Sequence, residues 1–133
     1  MTQLHWSQKY LNIPWLWSGA TTKGTDCRGL VFLALKQEQD FEFEEETPND
    51  TNCNYDMIER AVKYGELIKD YRVLREFDVV FFIIDGDIKH MGIMVDKFGR
   101  FLHQLDGRVS RISNINEKYW KNKFYAAVRR YKK

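Results

Sequence analysis

The chain has 133 residues and 16.0 kDa, the size of one domain, and its 44% hydrophobic, 15% aromatic and 30% charged residues match a soluble globular protein and exclude a wholly disordered one. Lys+Arg 21 against Asp+Glu 19 leaves +2, too balanced for a nucleic-acid or membrane-surface partner. No apolar run reaches the roughly 18 residues of a membrane span, and Met1 to Gly19 lack the apolar core of a secretory signal, so one domain over residues 1–133, synthesised in the cytoplasm, is expected.

In chain order, Thr2 is placed to cap a short helix carrying Leu4, Trp6, Tyr10 and Leu11, which ends before Pro14. Ser18 to Thr25 reads as a loop of small polar residues. Asp26 is a good N-cap for a helix from Cys27 to about Gln37. Leu30, Val31, Leu33, Ala34 and Leu35 surround that helix, so it is predicted to be central and buried. Glu38 to Asp50 is acidic and contains Pro48-Asn49-Asp50, an exposed loop inside the domain; it is either simply solvated or a cation-attracting rim of a cleft. A third helix fits Tyr55 to Tyr64, capped by Asn54.

Strands follow. Val79 to Ile84 is a continuous apolar run suited to a strand buried on both faces. Asp85-Gly86-Asp87 is a turn, and the strands His90 to Val95 and Arg100 to Leu105 are joined by Asp96-Lys97-Phe98-Gly99. Asp106-Gly107 turns the chain into Arg108 to Ile112, then a helical turn over Asn116 to Asn122 and a last strand, Phe124 to Tyr131. Helices first and an antiparallel meander after them define an α+β fold.

Cys27 is the first candidate for chemistry. At a helix start a thiol faces orphan N–H groups and the positive dipole end, which favour the thiolate and lower its pKa below the ordinary value of about 8.5. The alternative is an inert structural cysteine. Cys53 has no base near it in sequence and reads as structural or incidental; two cysteines make no disulfide-rich scaffold, and a Cys27–Cys53 bridge, though conceivable, is not expected in the absence of an export signal. His90 and His103 are the second observation. If Asp96 to Gly99 form a four-residue loop, His103 lies opposite Gly92, on the face that His90 shares. The two rings are then diagonal neighbours with Cα atoms about 7–8 Å apart, and one can orient the other as a base requires. A three-residue loop with a bulge reverses the parity and separates them. The plainer reading is two unrelated histidines, which is how His5 is read. No C-x-x-C or H-x-x-x-H spacing supports zinc, so neither a metal nor another cofactor is expected.

These residues carry a resemblance. Ile13-Pro14-Trp15-Leu16-Trp17-Ser18-Gly19 and Gly24-Thr25-Asp26-Cys27-Arg28-Gly29-Leu30-Val31 resemble the nucleophile region of NlpC-type cell-wall peptidases. Asp78 to Phe82, His90 to Val95, Phe101-Leu102-His103 and the ending Tyr119-Trp120 through Ala127-Val128-Arg129-Arg130-Tyr131 resemble that family's later motifs, in order and in register. The resemblance implies a papain-like α+β domain, a nucleophile helix packed on a central antiparallel sheet. It implies a cysteine peptidase or amidase acting on peptidoglycan stem peptides, with Cys27 as nucleophile, His90 as general base and His103 as the third polar residue. Trp15, Asp26 and Arg28 fall at the implied substrate side. Short members without a signal or wall-binding repeats often belong to phage particles or tails, which implies that location, with action at the bacterial cell wall.

The chain departs from the family pattern at four places. Arg28 stands for a serine, as a cation that favours the thiolate or binds a substrate carboxylate, or as a surface residue. Trp15 stands for a tyrosine and offers only an indole N–H. Ser18 and Phe77 stand for glycines. Two other readings compete: a catalytically silent structural or binding relative, whose mark is loss of Cys27 or His90, and a lipid acyltransferase, in which the histidine usually precedes the cysteine. Here both residues are present and Cys27 precedes His90.

Overall fold

The computed structural model describes residues 5–41, 58–59 and 62–130. Thr2, the acidic run beyond Phe41, Cys53 and Asn54 lie outside the described residues. Of the helix expected over Tyr55 to Tyr64, Ile58 and Glu59 are helical and residues 62–64 are a turn and bend. At the N-terminus the expected helix is a 3₁₀ turn, Trp6–Tyr10, and its cap is His5, whose ring accepts the Ser7 N–H.

The predicted loop before Cys27 contains a small hairpin, β1 (Ala20–Thr21) paired with β2 (Gly24–Thr25). Helix α1 (Cys27–Gln39) then starts at the predicted cap, where the Asp26 carboxylate accepts the Gly29 N–H at 2.7 Å. It runs two residues past the expected end, taking in Glu38, which pairs with Lys9 at 2.6 Å, and stops at Asp40 in the left-handed region (φ 50).

Six strands form one sheet: β3 (Gly65–Ile68), β4 (Val79–Ile84), β5 (Asp87–Met94), β6 (Arg100–His103), β7 (Arg111–Asn114) and β8 (Phe124–Arg130). Their order is β3-β8-β4-β5-β6-β7, with every neighbouring pair antiparallel. Helix α2 (Lys118–Lys123) lies between β7 and β8 in the chain. The β4–β5 turn is two residues, Asp85 (φ 53) and Gly86 (φ 79), the positive-φ pair that matches strand twist. It starts β5 three residues earlier than expected. Strand β3 was not predicted, because Glu66 and Leu67 are exposed and its ladder exists only through β8.

The apolar run of β4 is divided between two cores. Phe81, with Met91, Ile93 and Leu102, faces Leu30, Val31 and Ala34 of α1. Val80 and Phe82, with Met94 and Phe101, face Trp120 of α2. Each fully buried Phe, Leu or Ile here contributes about 1.5–3 kcal/mol, which is why the sheet is covered on both sides.

Two motif residues far apart in sequence form an ion pair. The Asp78 carboxylate, 2% exposed, accepts Arg129 Nε at 3.0 Å and Nη2 at 2.7 Å, together with the Arg75 N–H at 2.8 Å. Arg129→Met leaves that carboxylate without its charge partner, so the expected loss of stability is about 3 kcal/mol. A urea midpoint unchanged from wild type would refute the assignment.

The structure also accounts for the two missing glycines. Ser18 (φ 58) and Phe77 (φ 72) both sit in the left-handed region, where a Cβ is unfavourable and glycine is usual. Phe77 is held there by stacking on Trp6, ring centroids 4.8 Å apart, and by its N–H bond to the Met94 carbonyl at 2.8 Å.

Candidate active site

Cys27 is the first residue of α1, 8% exposed, behind a loop held at several points. The Thr25 N–H donates to the Pro14 carbonyl at 3.0 Å and the Leu16 N–H donates to the Thr25 carbonyl at 2.9 Å. The Asp26 carboxylate, besides capping α1, accepts the Ser18 N–H at 2.9 Å. Thr25 Oγ1 donates to Gln104 Oε1, and Gln104 Nε2 donates to the carbonyls of Ile13 at 2.8 Å and Arg108 at 2.9 Å. Gln104 is fully buried and follows His103, so this amide ties the start of α1 to the end of β6. Sequence reading missed Gln104 by extending β6 to Leu105; the residue leaves the strand because its side chain serves the loops.

The histidine pair has the geometry of the four-residue loop. Gly92 lies opposite His103 and Met94 opposite Phe101. The Asp96 carboxylate accepts the Phe98 and Arg100 N–H groups, and Gly99 at φ 104 completes the turn. His90 Nε2 stands 2.9 Å from His103 Nδ1, and His103 Nε2 stands 2.8 Å from Ser113 Oγ. Both rings are buried against Trp120, with centroids 5.6 Å and 4.8 Å from its ring. Burial, then the nearby His90 and Arg111, push the His103 pKa down to about 2, so His103 is neutral at physiological pH. Helix α1 packs on β5 and β6, the strands of both histidines, and Cys27 belongs to the core on that side of the sheet.

Trp15 pairs with Thr25, and its buried indole Nε1 has no hydrogen-bond partner among the described residues. Arg28 is 7% exposed, which excludes the surface-residue reading of its side chain. His5, as read from the sequence, stands apart, with its ring beside Trp6 and Glu76.

A helix that begins with a thiol and packs on an antiparallel sheet carrying a buried imidazole pair is the arrangement of the papain-like class of fold. The profile of the NlpC/P60 family matches residues 12–129, and the chain belongs to that family. It is 32% identical over 130 residues to the probable endopeptidase YafL of Escherichia coli, covering 95% of this chain and 48% of that protein. It is 29% identical over 111 residues to the murein DD-endopeptidase/LD-carboxypeptidase MepS of Escherichia coli, covering 84% of this chain and 52% of that protein. The chain thus spans about half the length of these relatives. Among solved structures, the NlpC/p60 domain of the peptidoglycan hydrolase SagA superposes with a TM-score of 0.64 at 18% identity, over 92% of each chain. An NlpC/P60 protein from Bacillus cereus superposes at 0.70 and 20% identity, over 93% of this chain and 37% of that one. Those likenesses bear on the fold.

Proposed function

We propose that this chain hydrolyses peptide bonds in peptidoglycan stem peptides, with Cys27 as nucleophile, His90 as general base and His103 as the residue that orients His90. The observation that carries the proposal is the buried His90 Nε2 to His103 Nδ1 bond at 2.9 Å. It leaves Nδ1 of His90 as the nitrogen for proton transfer, on a strand over which the Cys27 helix packs. The names of YafL and MepS point to the same reaction class.

In this mechanism His90 Nδ1 takes the thiol proton, and the Cys27 sulfur attacks the scissile carbonyl carbon. The carbonyl electron pair moves to oxygen, stabilised by the positive end of α1 and its backbone N–H groups. Collapse of the tetrahedral species breaks the C–N bond, and the imidazolium of His90 gives its proton to the departing amine. Water, deprotonated by His90, then attacks the thioester carbon, and the thiol leaves. Trp15 and Arg28 offer N–H donors to peptide carbonyl or carboxylate oxygens, while Asp26 acts through the cap that holds Cys27.

The test is digestion of purified muropeptides with mass analysis of the products. Cleavage is expected to survive EDTA and to be lost after thiol alkylation. Loss in EDTA with survival of alkylation would assign the chemistry to a metal, and intact muropeptides throughout would favour a silent binding relative.

A further inference from the structure

We infer that Ser113 is a positioning residue of this site: its hydroxyl oxygen supplies the acceptor for the Nε2–H tautomer of His103, the form that gives His90 the acceptor its working state needs. The inference rests on the peptidase reading above and adds a residue to it.

Three buried side chains form an unbranched chain, His90 Nε2 to His103 Nδ1 at 2.9 Å and His103 Nε2 to Ser113 Oγ at 2.8 Å. Their exposures are 3%, 0% and 7%, so water does not readily replace either bond. Ser113 reaches the ring across the β6–β7 ladder. It pairs with Phe101 while His103 pairs with Arg111, which makes Ser113 the diagonal neighbour of His103.

A neutral imidazole has one N–H and one lone pair. With His103 neutral, two proton arrangements satisfy both bonds. In the first, His90 Nε2–H donates to His103 Nδ1, and His103 Nε2–H donates to Ser113 Oγ. In the second, Ser113 O–H donates to His103 Nε2, and His103 Nδ1–H donates to His90 Nε2, which forces the His90 proton onto Nδ1. Only the first leaves Nδ1 of His90 able to accept the thiol proton. The same holds after transfer, because an imidazolium at His90 has an Nε2–H that needs an acceptor at His103. Both working states therefore require His103 to carry its proton on Nε2, next to Ser113. A hydroxyl can accept that proton's hydrogen bond with its own hydrogen turned elsewhere; a methyl group cannot, and leaves a buried N–H orphaned.

The test combines ¹⁵N-histidine NMR of the resting protein, which reads the tautomer of each ring without substrate, with kinetics on a muropeptide for wild type, Ser113→Ala and Ser113→Thr. Wild-type His103 is expected as the Nε2–H tautomer. Ser113→Ala is expected to shift His103 toward Nδ1–H and to lower kcat roughly tenfold to a hundredfold with KM little changed. Ser113→Thr keeps the hydroxyl on a strand that favours β-branched residues, and is expected to restore both readings. An Nδ1–H tautomer in wild type overturns the inference, as does Ser113→Ala that keeps Nε2–H and wild-type kcat. If Ser113→Ala does not fold, the wild-type tautomer and the threonine variant still decide. A wild-type protein that cleaves no muropeptide overturns the peptidase reading instead, and the resting tautomer is still measured independently.

Discussion

Replacing Cys27 with alanine is expected to abolish muropeptide cleavage, by on the order of 10⁴-fold or more, with the unfolding midpoint changed little. The kinetic loss is large because no neighbouring group substitutes for a covalent nucleophile; what remains is binding and stabilisation of charge by the helix start. The stability change is small for a separate reason. Alanine is the best helix former, the Asp26 cap to Gly29 does not involve the thiol, and the deleted sulfur is a small part of a core built on Leu30, Val31, Phe81 and Met91. Comparing cleavage rates and urea midpoints of the two proteins separates the effects. Residual activity within tenfold of wild type would remove Cys27 from the mechanism.

Gly29→Ala is expected to lower stability by about 3 kcal/mol or more, against the direction of helix propensity. Within a helix this change ordinarily adds up to about 1 kcal/mol. Here the new Cβ would run into the carbonyl oxygen of Gly19, a backbone atom beside β1. That carbonyl cannot withdraw easily, because it accepts the Asp26 N–H at 3.3 Å and its residue donates to the Leu16 carbonyl at 2.8 Å. Relief therefore displaces either α1 or the loop that positions Cys27, so activity is expected to fall with stability. Urea denaturation gives the sign directly. A gain in stability would mean that the helix and the hairpin do not approach this closely.

Local chemistry made much of this protein readable from residues alone. Asp26 before an apolar run specifies a capped, buried helix because the cap bond spans three residues and needs no distant partner. Val79 to Ile84 reads as a doubly covered strand because alternate side chains enter two different cores. The His90–His103 neighbourhood was legible because a four-residue loop sets the pairing, and side-chain parity follows from it. Other features depended on partners that only the folded chain supplies. The positive φ of Phe77 goes with its stacking on Trp6 and its bond to the Met94 carbonyl, not with its side-chain type. Strand β3 exists because β8 offers it a ladder, and Asp78 meets Arg129 across 51 residues. Gln104 opens a turn-rich stretch, residues 104–110, and Ser113 follows it; its length sets no register, so their bonds to Thr25 and His103 could not be counted along the sequence. Short-range hydrogen bonding and strand parity are encoded within a few residues, whereas a buried polar group finds its partner only when the cores on both faces of the sheet have brought distant segments together.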